Sequence, residues 1–329
     1  MDRFEQGSEP EIIGRYERLA RKALALYGLE DAEVTGHVGA RNMVFEVRHT
    51  RLHVGPVHYA LRIGSRDASS DQLLRELLFL TALWQDGRRD VPEPILSRSG
   101  ELIHSVSVPG VSGFRPVVLL RWMPGRAADA GQLSYDAASA IGRFIASIHQ
   151  LGRTFRWPAE LERPPEDETD LDALRFRLRA LRGRAPDMEA LIDRGVDLAR
   201  RARMALAAAP SESVVIHGDM ALANLRFTGE TIRAFGFDRC RRGSRLDDLV
   251  EIDLALRRRD DGEPIRQALH AGYREGGDLP ADAEAHLTAS AAVRLLASLC
   301  DLGDVKHPAA VSRFSSLLAR LRALLSASD

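Results

Sequence analysis

The chain is 329 residues long, 45% hydrophobic and 28% charged, the composition of a soluble globular protein with room for one large domain or two lobes. A formal net charge of -1 removes any bulk attraction to nucleic acid or to an anionic membrane, and no apolar run reaches the length of a bilayer span. The cysteines, Cys240 and Cys300, lack metal-like spacing, and Met1 is followed by charged Asp2, Arg3 and Glu5 rather than a secretory leader, so a reducing cytoplasm is the expected location.

Apolar positions between 10 and 27 recur at helical spacing and Gly28 ends the run, which predicts an amphipathic helix. From 31 the period changes. Val38 to Arg48 alternates as a strand does after a glycine turn, with Gly36 and Gly39 ahead of it. Glycines near a hairpin tip let backbone N–H groups lie over nucleotide phosphates, although an ordinary hairpin has the same pattern. Val57 to Ile63 is the next strand and carries Arg62. A helix follows over 71–85, with positions 73, 77, 80 and 84 in one apolar stripe and Glu76 beside it. Taken alone, Arg62 and Glu76 read as a solvated strand residue and a solvated helix residue. Val91-Pro92-Glu93-Pro94 is a rigid linker. Strands are expected over 101–108 and 115–122, and the unbroken apolar run Pro116 to Leu120 suits a strand covered on both faces. Pro124-Gly125 stops it. The expected organisation is an N-terminal helix over 1–30, a sheet lobe over 31–124 and a mostly helical lobe over 125–329.

In the second part, Leu133, Ala137, Ile141, Ile145 and Ile148 mark a helix that His149 closes, where a histidine charge would suit the helix dipole. The acidic run Glu160, Glu162, Glu166, Asp167, Glu168, Asp170 and Asp172 reads as a solvated loop and helix start, or as a rim that attracts a cationic substrate. Helices are expected over 170–183 and 186–209, and later over 246–258, 262–276, 281–302 and 307–326.

Between these helices lies the stretch with most chemical content. Val214-Val215-Ile216 runs into His217-Gly218-Asp219, Asn224 follows on the same loop, and a second apolar run leads to Phe235-Gly236-Phe237-Asp238. Phosphoryl transfer needs a carboxylate to take the acceptor hydroxyl's proton and oxygen ligands to hold magnesium against the phosphates. An Asp and an Asn on one tight loop can supply both. A plain inter-strand loop, with Asp219 and Asn224 capping turns, is the competing account.

Residues 214–249 resemble the catalytic region of the aminoglycoside phosphotransferase and choline kinase family, which shares the two-lobed fold of protein kinases. The matching features are His217-x-Asp219 with Asn224, the apolar strand before Asp238, Gly243, and Asp248-Leu249. The resemblance implies an α+β fold with a small antiparallel-sheet N-lobe and a larger, mostly helical C-lobe. It implies Asp219 as catalytic base and Asn224 as a magnesium ligand. It implies that Gly36 and Gly39 lie near the nucleotide phosphates. The phosphate-binding cation on the third strand would be Arg62, since the only lysines are Lys22 and Lys306, with Glu76 holding it in place. Arg121, Trp122 and Met123 would line the base pocket at the hinge.

One position departs from the family pattern: its main magnesium-binding Asp is Gly236 here. Asp238 can substitute, because residues two apart in an extended segment face one side at a spacing of about 6.6 Å and Gly236 permits a backbone shift. Arginines could instead neutralise the phosphates, or the protein could bind nucleotide without transferring phosphate. Arg239, Arg241, Arg242 and Arg245 crowd the same region, as phosphate contacts or as a solvated turn. The expectation is an ATP- or GTP-dependent, magnesium-using phosphotransferase acting on a hydroxyl of a small molecule. The alternatives are a silent pseudokinase with a protein or peptide partner, and a kinase for serine or threonine on a peptide.

Overall fold

The computed structural model describes residues 8–38, 42–51, 55–162, 170–207, 213–302 and 308–326. The chain forms two compact units. One contains 1–126, 156–162 and 225–239; the other contains 127–155, 163–224 and 240–329.

The first unit opens with α1 (Glu9–Ala25), whose start is tied by the Glu11 carboxylate accepting from both the Ser8 N–H and the Ser8 hydroxyl at 2.8 Å. Beyond it come β1 (Glu33–Val38), β2 (Met43–Arg51), β3 (Gly55–Ile63), α2 (Ser70–Gln85), β4 (Pro94–Ile95), β5 (His104–Val106) and β6 (Arg115–Arg121). The strands form one antiparallel sheet in the order β1-β2-β3-β6-β4, with β5 also on β6. Alternation puts Met43, Phe45, Val47, Leu61, Ile63, Val117 and Leu119 on one face, where they close a core with Tyr16, Leu19, Ala23 and Leu24 of α1. The strand expected over 38–48 is thus two strands: Val38 ends β1 and Met43 begins β2, and the two pair antiparallel with Val38 opposite Met43. The strand expected over 101–108 shortens to β5.

In the second unit α3 (Tyr135–Thr154) and α7 (Gly262–Gly276) pack on each other, with α4 (Leu171–Leu178), α5 (Met188–Ala207), α6 (Asp247–Leu256), α8 (Ala283–Leu302) and α9 (Pro308–Ser326) around them. The two-residue strand β7 (Arg126–Ala127) lies at the junction of the units in the sequence. β8 (Ser213–Ile216) pairs antiparallel with β11 (Arg241–Ser244). β9 (Leu225–Thr228) and β10 (Thr231–Ala234) form a hairpin in the first unit. The helix expected over 170–183 stops at Leu178 and tightens into a 3₁₀ turn. Asp170 caps α4 by accepting from the Asp172 and Ala173 amides at 2.9 and 3.0 Å, so this part of the acidic run is a helix start; Glu166, Asp167 and Glu168 lie outside the described residues. No helix among the described residues is long and apolar enough to cross a membrane.

α3 meets β8 at Gly152, where a Cβ would run into the Val215 carbonyl oxygen. Neither backbone can retreat without unpicking the strand that delivers His217. Gly152→Ala is therefore expected to cost about 3 kcal/mol, measurable as a lower denaturant midpoint at unchanged slope.

Candidate active site

Each unit contributes one chemically loaded region. In the second unit, buried Val214, Val215 and Ile216 carry the chain inward, and Gly218, at φ 80°, reverses it. The turn is held from a distance. Both oxygens of the buried Asp248 accept backbone hydrogen bonds, from the His217 N–H at 2.7 Å and the Gly218 N–H at 2.8 Å. His149 Nε2 lies 3.0 Å from the same carboxylate, and its Nδ1 lies 2.8 Å from the Tyr273 hydroxyl. Burial alone would raise the Asp248 carboxyl. The hydrogen bond and charge of His149, helped by His217, outweigh it and keep the group ionised below the ordinary carboxylate range. His149 is not the helix terminus expected from the sequence. α3 continues to Thr154, and His149 is a buried link between Tyr273 and Asp248. The helical period does not stop at His149, and a histidine inside an apolar stripe does not reveal its distant partner.

The loop then tightens on itself. The Asp219 N–H donates to His217 Nδ1 at 3.1 Å, and the Asp219 carbonyl accepts from the Ala221 N–H and from the Asn224 side-chain amide, each at 2.8 Å. These bonds use the Asp219 backbone and leave its half-buried carboxylate without a protein donor among the described residues. Asn224, at the end of a 3₁₀ turn over Leu222–Asn224, uses its NH₂ group and keeps its amide oxygen as a ligand atom.

In the first unit, Arg62 on β3 and Glu76 on α2 form a buried two-pronged pair, with Nη1–Oε1 at 2.8 Å and Nη2–Oε2 at 2.5 Å. The solvated alternative is excluded for both. They line a cavity of about 250 Å³ with Asn42, Gln72 and Asp238. Asp238 reaches it because Gly236 adopts φ 85° and the chain then makes a 3₁₀ turn over Phe237–Arg239, fixed by the Gln72 amide donating to the Asp238 carbonyl at 3.0 Å. Gln72 and Asn42 were not read as site residues from the sequence; a polar residue one turn before Glu76 on α2 was the available signal.

The other expected site residues fall elsewhere. Gly36 is not at a hairpin tip. It sits inside β1 opposite Phe45, where a Cβ would come within 2.7 Å of Ile13 and 2.8 Å of Phe45, so its role is to let α1 close on the sheet. Gly39 lies outside the described residues. At the end of β6, the Arg121 N–H already donates to the Glu93 carbonyl at 2.8 Å and the Trp122 N–H to the His58 carbonyl at 3.1 Å. Arg121 also reaches the Glu93 carboxylate through Nε at 2.7 Å. Both amides are thus engaged within the fold. In the arginine run, Arg241 pairs with Asp247 at 2.9 Å and Arg242 donates to the Phe155 carbonyl at 3.2 Å, so both serve the fold around β11. Burial lowers the proton affinity of the Arg245 guanidinium, which is enclosed near Tyr273.

Among the described residues no cluster of three or more His, Cys, Asp or Glu forms a ready metal cage. Asp238 in the first unit and Asn224 in the second each present a hard oxygen, the donor type that magnesium prefers.

The profile of the phosphotransferase enzyme family matches residues 35–312. No curated protein matches the chain. Among solved structures, a microcompartment-associated aminopropanol kinase is 25% identical, with a TM-score of 0.76 over 94% of this chain and 96% of its own. An amicoumacin kinase in complex with AMP-PNP, Ca²⁺ and Ami is 18% identical, with a TM-score of 0.74 over 97% of this chain and 96% of its own. A choline kinase from Cryptosporidium parvum is 13% identical, with a TM-score of 0.59 over 98% of this chain and 97% of its own. The chain therefore belongs to the phosphotransferase enzyme family, with that family's kinase-like division into an antiparallel-sheet lobe and a mostly helical remainder.

Proposed function

We propose that the protein transfers the γ-phosphoryl group of ATP or GTP to a hydroxyl of a small molecule. The observation that carries this is Asp219: a half-buried carboxylate with no protein donor among the described residues, on a loop whose backbone is tied at three successive residues. The acceptor hydroxyl oxygen attacks the γ-phosphorus and the new O–P bond forms as the bond to the β,γ-bridging oxygen breaks. The nucleoside diphosphate leaves with that electron pair, and the hydroxyl proton passes to Asp219. Arg62, held rigid by Glu76, neutralises phosphate oxygens and stays charged throughout. Asn224 and Asp238 are the residues that would hold magnesium, which when bound shields the phosphate charge. The Met123 N–H is the hinge donor left for the base.

Aminopropanol kinase, the 25% identical relative, supports a small alcohol as acceptor. Gly236 favours a second reading, nucleotide binding without transfer to a substrate, since a glycine supplies no ligand where the family has an Asp.

Thermal melting with ATP and GTP, each with and without magnesium, separates the readings. A ligand at a hundred times its Kd stabilises the folded state by ~2.7 kcal/mol and so raises Tm by several degrees. The expected result is a rise that requires magnesium. A rise without magnesium assigns the phosphates to arginine alone, and no rise with either nucleotide rejects the proposed reaction.

A further inference from the structure

A second cavity, of about 380 Å³, lies wholly within the helical unit. Ala221 and Leu222, just past Asp219 on the same loop, form one wall. The others carry Asp129, Glu251 of α6, Arg258 of the turn after α6, and Arg320 of α9. The size suits a small metabolite. The segment bearing Asp129 is pinned to the end of α6 by Arg259, whose Nη1 donates to the carbonyls of Ala130 at 2.6 Å and Leu133 at 2.9 Å.

Two carboxylates and two guanidiniums line this cavity, and one of the carboxylates is neutralised from outside the lining. Glu251 is already paired with Arg294 at 2.8 Å, and the Asp129 carboxylate accepts from the Gly131 N–H at 2.9 Å. Arg258 and Arg320 have no carboxylate within 4.0 Å among the described residues. Burial lowers the proton affinity of Arg320, the charge of Arg258 lowers it further, and Glu251 opposes both. Arginine does not shed its proton in proteins, so the half-buried Arg320, with the exposed Arg258 close enough to repel it, is relieved by an incoming anion, whose paired oxygens match the guanidinium fork.

We propose that this cavity binds the phosphoryl acceptor, and that the acceptor carries an anionic group, a carboxylate or a phosphate, read by Arg258 and Arg320 while its hydroxyl faces the Asp219 loop. The inference rests on the phosphotransferase reading and specifies its substrate class. It runs against a cationic acceptor such as an amino alcohol.

The test uses the full-length protein and four probes on one three-carbon frame: glycerate, glycerol 3-phosphate, glycerol and 1-amino-2-propanol. Binding is measured by calorimetry, apart from turnover, on the wild type and on R258Q/R320Q. At least one anionic probe should bind roughly ten- to a hundredfold more tightly than glycerol or the amine, and the double variant should lose that preference. The nucleotide-induced rise in melting temperature should persist in the variant, which shows that it is folded. Preference for glycerate over glycerol 3-phosphate identifies a carboxylate, and the reverse a phosphate. The proposal is overturned if neither anion binds at millimolar concentration, if the amine binds as tightly, or if R258Q/R320Q keeps the preference. Release of nucleoside diphosphate is then followed with each probe. Anion binding without release from any probe rejects the transfer reaction and leaves the cavity assignment standing. Release with 1-amino-2-propanol, unaffected by R258Q/R320Q, rejects the anionic acceptor and leaves the reaction standing.

Discussion

Asp219→Asn should lower turnover by about two to four orders of magnitude while the magnesium-dependent nucleotide shift in Tm stays as in the wild type. The substitution removes the proton acceptor and almost nothing else. The loop is held through the backbone atoms of His217, Gly218 and Asp219, none of which changes, and the lost charge has no protein partner among the described residues. Stability should therefore move by no more than about 0.5 kcal/mol. Steady-state release of nucleoside diphosphate, with melting curves on the same preparation, checks both halves. Turnover within threefold of the wild type would exclude Asp219 as the base; a large drop in Tm would show the carboxylate to be structural.

Asp248→Ala should have the opposite profile. The Asp248 side chain is fully buried and accepts from two backbone amides and from His149. Its removal orphans two buried N–H groups at the turn and breaks a buried charged contact, which costs about 3–5 kcal/mol and lowers Tm by about 10 °C. The acid limb of the stability curve should change with it. The folded-state pKa of Asp248 lies below the ordinary 3.8, so its contribution is fully present above that value and is lost as pH falls through the lower folded value. The wild type should lose this increment only below about pH 4, and Asp248→Ala should show a correspondingly shallower acid transition. Urea melts of both proteins across that range measure the difference; parallel curves would mean that the carboxylate is not coupled to folding. Turnover should fall as well, because the amides that hold the Asp219 turn lose their acceptor.

The sequence by itself determined the family, the fold class, the candidate loop at 217–224 and nearly every helix. His217-Gly218-Asp219 with Asn224 is a local constellation: its members bond one another across one turn, so their spacing alone reports the geometry. The helices over 246–258, 262–276, 281–302 and 307–326 were legible for a similar reason, since amphipathic period and end signals are properties of neighbouring residues. The alternation around 38–48 was legible as extended chain but not as two strands, because a hairpin turn can preserve the period on both sides.

Local pattern did not decide which charged residues are partners; the resemblance implied the Arg62–Glu76 pair, and the tertiary structure decided the rest. Arg62 and Glu76 have the same local pattern whether solvated or buried; packing α2 on the sheet makes them a two-pronged pair beside Asp238. His149 reads as a helix end until Asp248 and Tyr273 arrive from separate helices. Arg241 and Arg242 read as phosphate contacts or as a solvated turn until Asp247 and the Phe155 carbonyl claim them. Arg258 and Arg320 carry no sequence signal at all, being an exposed arginine in the turn after α6 and a half-exposed one on α9 that come together only at the cavity beside the Asp219 loop. The physical reason is common to all four cases. Backbone period and turn chemistry are set by adjacent residues, whereas the partner of a charge is set by whichever surface the rest of the chain brings against it.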